Sequence, residues 1–408
     1  MKNRGITYMK DYEKAVIDIL KSSIINPNDK YTLADNIDAI DVLEEAKEQG
    51  ILSLIYYYLD RNTIDRFRGD KRFEDIKKQM IVISSMESLR LVKIMKVIHD
   101  LNDLGVDITI LKGLQVKKYY RRSEFREMSD ADLLIKTEDY EKVKKYFLDK
   151  GCKEETEDHD VHRSYVYEGI LYEIHFKLIN SYFYRYDKDE FEKNVWNNLI
   201  QSSYYSEFDI DNLLIYLIMH TVVHAKFSGF GIRFLYDMAL IIQKENKKID
   251  WDYLMSELDK YGIKKFAKGI FKTINDYYGV EINQEIIKDI EAKASKMIVD
   301  NMIISGKNGK KLENPDFTIL SRYGEKKNAH SFRYKKLRMY FPLKKTLAKV
   351  EGYEYVMKYP ITYIYACLHY HTKEGLFKKY SRSERKEYCR QAIEIGKNRK
   401  ELVEYFEL

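Results

Sequence analysis

Between residues 73 and 111 the sequence changes its period without a linker. Phe73–Leu104 carries Ile76, Met80, Ile83, Met86, Leu89, Val92, Met95 and Ile98 at three- and four-residue intervals, the spacing of one helix face. Gly105 is well placed to end that helix. Val106–Leu111 follows at once as a short, apolar, β-branched run, which predicts a buried strand. With four prolines and 18 glycines in 408 residues, a many-stranded all-β design is disfavoured and long helices are favoured. The expected class is α+β: a small mixed sheet flanked by helical regions.

The rest of the chain fills in that plan. Asp11–Ile25 and Val42–Leu59 show helical spacing, so residues 1–104 form a helical N-terminal region. Within 105–204, Lys112-Gly113 ends the first strand, Leu114–Tyr120 reads as helix, and Leu133–Ile135 is the core of a second strand. Thr137 is suited to cap a helix over 138–149. His162–Tyr167 and Leu171–Phe176 are strand-like runs joined by Glu168-Gly169, a hairpin signal. From 205 to 305 helices return, with Asn212–His224 apolar nearly all round. Residues 306–330 are polar and turn-rich, a connector to a basic, mostly helical region that runs to 408.

Several function classes fall away on composition. A net charge of +6 over 408 residues is close to neutral, below what a dedicated nucleic-acid binder carries. Cys152, Cys367 and Cys389 are far apart and give neither a metal-binding spacing nor a closed disulfide set, which suits a reducing cytoplasm. The longest apolar runs, Leu213–Met219 and Ile361–Leu368, are far short of the ~20 residues that a membrane span needs. The first residues have no apolar signal-peptide core, so a cytoplasmic protein without membrane partners is expected.

The chemistry concentrates in Ile108–Ile135. Asp130-Ala131-Asp132 opens the second strand, and residues two apart on a strand face the same side. Two such carboxylates suit a pair of hard cations in phosphoryl chemistry, although a solvated strand end has the same spacing. Gly113, between strand and helix, lets backbone N–H groups approach a phosphate. Five basic residues and one acid lie between Lys117 and Arg126, as a triphosphate site or a solvated surface would require. In Leu171–Phe176, Glu173 and His175 share one strand face, with Tyr172, Ile174 and Phe176 on the other. Glu173 is then either a third carboxylate or part of an ordinary half-exposed strand.

The order LKG, helix, REMSDADLLI, then YEIH resembles the nucleotidyltransferase superfamily that includes DNA polymerase beta. More narrowly it resembles a bacterial nucleotidyltransferase family with strand–KG–helix, RxxxDxD and an acid two residues before His. His220, His224, Arg233–Asp237 and Ile249–Trp251 resemble that group's helical region, so the similarity covers roughly 75–260. Lys112-Gly113 stands where the superfamily usually has Gly-Ser, and Glu173 where many relatives carry Asp.

The resemblance implies transfer of an NMP from an NTP, ATP first, to a hydroxyl on a small molecule, a protein or an RNA end. Asp130, Asp132 and Glu173 would ligate two Mg²⁺ ions, with Mn²⁺ as a substitute. Lys112 and Gly113 would meet phosphate, and Arg126 would steady the triphosphate or brace the Asp loop, bracing being favoured. His220 and His224, one helical turn apart, would contact nucleotide or acceptor, or simply line the core. Arg233 and Asp237, four apart, are expected to pair on one helix. Phe332–Lys349, with seven basic residues, no acid and interleaved aromatics, could bind RNA or serve as an exposed helix. The rival from another class is an inactive nucleotide- or RNA-binding protein on the same fold, which gains if Glu173 points away from the Asp pair. Replacing both aspartates with Asn is expected to stop transfer, relieve like-charge repulsion and leave the melting temperature near or above the parent.

Overall fold

The structure is a computed structural model that describes residues 9–155, 161–178, 188–307, 317–321, 331–348, 350 and 352–408. The chain groups into two compact units, Met1–Val222 with Ile232–Lys296, and Val223–Gly231 with Met297–Leu408. No helix among the described residues is long and apolar enough to cross a membrane.

The first unit is built around one mixed sheet. Its strands are β1 (Thr109–Ile110), β2 (Asp130–Leu134), β3 (Glu154–Glu155), β4 (His162–Tyr167), β5 (Ile170–His175), β6 (Ile200–Gln201) and β7 (Ser206–Glu207). Across the sheet the order is β3-β4-β5-β2-β1-β7-β6. β2 runs parallel to β5 and antiparallel to β1. β4 and β5 form the expected hairpin, and Glu168 and Gly169 both take positive φ, 49° and 75°. That pair of left-handed residues is the tight-turn geometry whose twist matches the strands. The two-residue strands β3, β6 and β7 are too short to carry a visible alternation, and the sequence reading does not include them.

Alternation splits the sheet into two chemically different faces. Ala131, Leu133, Tyr165, Tyr172 and Ile174 point into a core with Ile94, Val97, Ile98 and Leu101 of the helix Lys71–Asp103 and Val143, Tyr146 and Phe147 of the helix Tyr140–Asp149. Phe147 stacks on Tyr165 with ring centroids 4.6 Å apart. The helix Tyr140–Asp149 starts later than expected, because Thr137–Asp139 forms a single tighter turn and Thr137 does not cap it. The other face carries Asp130, Asp132, His162, Ser164, Glu173 and His175.

The helix Lys71–Asp103 departs from its expected stripe. Its ends are buried, Phe73 and Ile76 at one and Ile94–Leu101 at the other, but Met86, Leu89 and Val92 are exposed at 56%, 57% and 67%. The physical reason is that the helix links two cores. Phe73 packs with Tyr56 and Phe67 at one end, and the sheet covers the other. Between them the buried contact is polar: Glu87 accepts from Lys117 and Arg90.

N-terminal helices Asp11–Ile25, Ala39–Glu48 and Leu52–Tyr58 precede it, the last two separated at Gly50, whose φ is +67°. Beyond the sheet, Ile210–Phe227, Ile232–Glu245, Trp251–Lys260 and Lys264–Thr273 are helical, close to expectation. Most of the stretch 306–330 lies outside the described residues. In the second unit the basic segment forms the short helices Phe332–Tyr340 and Lys344–Leu347, and Tyr363–Lys373 and Arg382–Phe406 follow.

Candidate functional site

Strand register assembles the carboxylates. In the parallel β2–β5 pair, Asp132 lies opposite Glu173, and Asp130 shares its face two residues earlier. Glu173 therefore stands beside the Asp pair. On the next strand the antiparallel register sets His162 opposite His175 and Ser164 opposite Glu173. His175 Nε2 lies 3.0 Å from Asp132 Oδ1 and 3.6 Å from Glu173 Oε2, and His162 Nε2 lies 3.9 Å from Glu173 Oε1.

Lys112 closes the cluster from the end of β1. Its Nζ donates to Asp132 Oδ1 at 2.7 Å. Its φ of +42° places a side-chain-bearing residue in left-handed backbone, a strain of about 1–2 kcal/mol that glycine would avoid. Burial works against the Lys112 charge, but Asp132, with Tyr216 and Glu173, outweighs it and raises its pKa. Burial likewise opposes ionisation of Asp132, yet Lys112 and His175 hold its carboxyl well below the ordinary range. Asp130 goes the other way: burial and the Asp132 charge push it up against Lys112. The two aspartates of one motif are thus electrostatically unequal, one a satisfied anion and one a strained anion.

Gly113 is held under a guanidinium. A Cβ at this position would lie 2.4 Å from Arg126 Nη1 and 3.0 Å from Met128 Sδ. Arg126 cannot yield easily, because its Nε is 3.1 Å from both Asp237 oxygens and its Nη2 is 2.7 Å from Oδ2. Tyr120 donates to the same carboxylate at 2.6 Å. Arg126 therefore braces the segment before β2. The expected Arg233–Asp237 pair does not form: Asp237 takes Arg126, and Arg233 donates to the Glu127 carbonyl. Tertiary partners on the neighbouring loop outcompete the local four-residue spacing. Gly113→Ala should accordingly cost about 1–3 kcal/mol through overpacking, read as a lower urea midpoint with an unchanged slope.

The basic run that precedes β2 is largely committed to structure. Lys117 Nζ donates to Glu87 Oε2 at 3.1 Å and to the Ser123 and Arg126 carbonyls at 3.0 and 2.7 Å. Lys118 pairs with Glu207, and Arg121 binds the Pro27 carbonyl and Asn28. Burial pushes the Lys117 ammonium down to about 8, against the pull of Glu87. An unfolded lysine titrates near 10.4. Below about pH 8 both states are charged and the burial cost is fully present. Between about 8 and 10.4 the unfolded chain binds the extra proton, so stability rises with pH. Compared with Lys117→Met, the parent should gain up to about 3 kcal/mol across that window in pH-dependent urea titrations.

His220 and His224 lie one turn apart on the helix Ile210–Phe227. His220 stacks on Phe234 at 5.6 Å within the first unit. His224, whose Nδ1 is 2.7 Å from Ser228 Oγ, belongs to the second. Two residues that are not site candidates on sequence alone join the cluster. Tyr216, one turn before His220, is buried, and its phenol is pushed up to about 12 by burial, with Asp132 and Glu173 adding to the rise and Lys112 opposing it. His162 is the other, and its signal was available. A two-residue turn at 168–169 fixes hairpin partners, and that register sets 162 opposite 175.

The donor set fits divalent cations. Three carboxylates on one sheet face supply hard oxygen ligands, and His162, Glu173 and His175 each offer a ligand atom within 4.8 Å of the others.

A family model for uncharacterised nucleotidyltransferases matches residues 35–279, more than half of the chain. The chain belongs to that nucleotidyltransferase family. No curated protein and no solved structure matches it. The matched span includes Lys112, the Asp130–Asp132 motif, Glu173 and the helices through Lys264–Thr273.

Proposed function

We propose that this nucleotidyltransferase moves an NMP from an NTP, ATP first, to a hydroxyl acceptor, with Asp130, Asp132 and Glu173 holding two Mg²⁺ ions. The observation that carries the reading is the β2–β5 register, which sets Glu173 beside Asp132 on the face that also bears Asp130. When bound, the ions supply Lewis acidity at the phosphates and at the acceptor oxygen.

The chain's own residues do the rest. Asp130 and Asp132 orient the triphosphate side, and Asp132 with Glu173 orients the acceptor side. At Gly113 the braced Arg126 guanidinium lies against the backbone, where it would meet an incoming phosphate. Lys112 exchanges Asp132 for a phosphate oxygen as the nucleotide enters. The acceptor oxygen then attacks the α-phosphorus in line, the bond to the β-phosphate bridging oxygen breaks, and pyrophosphate leaves. A carboxylate of the cluster takes the hydroxyl proton. Tyr216 and His220, one turn apart on Ile210–Phe227, present that helix to the substrate. A small molecule, a protein hydroxyl and an RNA end are the acceptor classes, with Phe332–Lys349 keeping RNA among them.

The test is thermal unfolding with each NTP, with and without Mg²⁺, on the parent and Asp130→Asn. At 100 times its Kd a nucleotide stabilises by about 2.7 kcal/mol. The expected result is a Mg²⁺-dependent shift with one NTP, lost in the variant. No shift with any NTP from folded protein overturns the reading. The Lys112–Asp132 ion pair favours a second reading, binding without turnover. A Mg²⁺-independent nucleotide shift with no pyrophosphate release across the three acceptor classes would select it.

A further inference from the structure

Two imidazoles lie on the sheet face that oxygen-only Mg²⁺ chemistry does not need. His175 Nε2 is approached by anionic oxygens from two strands, Asp132 Oδ1 at 3.0 Å and Glu173 Oε2 at 3.6 Å. The ring has one proton to offer at that nitrogen, and two carboxylates converge on it. His162 Nε2 reaches the other Glu173 oxygen at 3.9 Å, and the two imidazole centroids are 4.9 Å apart. One ligand atom from each of His162, Glu173 and His175 falls within a 4.8 Å set. Ligand atoms about 2.1 Å from a common ion stand roughly 3–4 Å from one another, so small side-chain movements bring these into range. His175 is 3% exposed, and its Nδ1 is buried without a hydrogen-bond partner. The ring is fixed by packing and strand register rather than by solvent.

We infer that His162, Glu173 and His175, with Asp132 at their edge, form a nitrogen-rich seat for one first-row transition-metal dication of the Mn²⁺, Co²⁺ or Zn²⁺ class, bound in preference to Mg²⁺ and before nucleotide. Imidazole suits these ions, whereas Mg²⁺ demands oxygen ligands and keeps its water. The two cation positions of the cluster are then unlike. The Asp130 side is all oxygen and completes itself with nucleotide phosphates. The Glu173 side is two nitrogens and a carboxylate, and completes itself from the protein. This deepens the nucleotidyl-transfer reading and rests on it for the role of Glu173 towards the acceptor. The binding itself is measurable without any nucleotide.

The experiment uses the full chain, stripped with chelator, and titrates Co²⁺, Zn²⁺ and Mg²⁺ separately by calorimetry, with the visible absorption of Co²⁺ as a second readout. The expected result is one equivalent of Co²⁺ or Zn²⁺, at least about 100-fold tighter than Mg²⁺, with a nitrogen-ligand Co²⁺ spectrum. His162→Ala should weaken Co²⁺ at least about tenfold and alter that spectrum. His162→Gln, closer in size, guards against loss of fold, and melting in chelator shows that either variant is folded. Absence of stoichiometric binding, equal affinity for Mg²⁺, or a Co²⁺ spectrum unchanged in the folded His162 variants overturns the inference. A Mg²⁺-dependent NTP shift that persists without Co²⁺ binding sinks this inference alone. Co²⁺ binding without any NTP shift sinks the nucleotidyl-transfer reading and leaves the metal seat standing.

Discussion

Asp130→Asn and Asp132→Asn are expected to act alike on turnover and in opposite directions on stability. Under the proposed function, each removes a carboxylate from the reacting centre. Loss of one preorganised charged group there costs on the order of 10²–10³ in rate, so both variants should fall by at least about a hundredfold. Their folding effects divide because their surroundings do. Asp132 is buried and accepts from Lys112 at 2.7 Å and sits 3.0 Å from His175. Neutralising it leaves a buried ammonium without its anion, a change that typically costs 3–5 kcal/mol. Asp130 is pushed up by burial and by Asp132, so its charge is a burden to the metal-free fold at neutral pH. Asp130→Asn should melt at or slightly above the parent. The sequence alone suggests that replacing both aspartates leaves the melting temperature near or above the parent. The Lys112 contact reverses that expectation for the double variant, which should melt well below it. Calorimetric melting of the three variants in chelator decides the matter, and a stable Asp132→Asn would refute the buried-pair account.

Asp237→Ala should be the most destabilising single change outside the carboxylate cluster. It strands Arg126, which is 7% exposed, and leaves the Tyr120 hydroxyl without the acceptor it now has at 2.6 Å. Breaking a buried pair by removing one partner costs about 3–5 kcal/mol. For a unit of this size that lowers the melting temperature by roughly 5–8 °C. Because Arg126 overlies Gly113, the variant should also weaken nucleotide binding, although Asp237 itself makes no contact with the carboxylates. The control is Arg126→Met with Asp237→Leu, which removes both charges together. It should recover much of the stability, since an apolar pair of similar volume is often neutral. If the double variant is as unstable as the single one, the cost belongs to packing and not to an uncompensated charge.

The elements that were legible in the sequence are those whose periodicity is long or whose punctuation is strong. The helix Asp11–Ile25 and the hairpin turning at Glu168-Gly169 agree with their patterns because local chemistry decides them. The shared face of Asp130 and Asp132, and that of Glu173 and His175, was legible because strand alternation is a local rule, whereas the β2–β5 register that sets Glu173 beside Asp132 was not. What was hidden depends on partners distant in sequence. Met86, Leu89 and Val92 continue a helical stripe, but only a helix bridging two cores leaves its middle in water. Asp237 has a suitable arginine four residues away and takes one 111 residues away instead. Lys112 reads as a phosphate-binding cation, and nothing local says that Asp132 holds it first.

The pairing of Asp132 with Glu173 has a consequence for tolerance to change. Both acids are carried by adjacent strands, whose separation is set by backbone hydrogen bonds at about 4.8 Å. Their spacing therefore behaves like a ruled scale and not like an adjustable joint. Segments between β2 and β5 can lengthen, shorten or change composition while the scale stays fixed, provided that the strands still pair. Only two kinds of change can move one acid relative to the other: a different side-chain length, as when Glu is exchanged for Asp, or a slip of the sheet. A slip by one residue would turn every acid of the moving strand into the apolar core. Misalignment by one residue is thus coupled to unfolding, and a chain that folds in this register carries its acids at the correct separation.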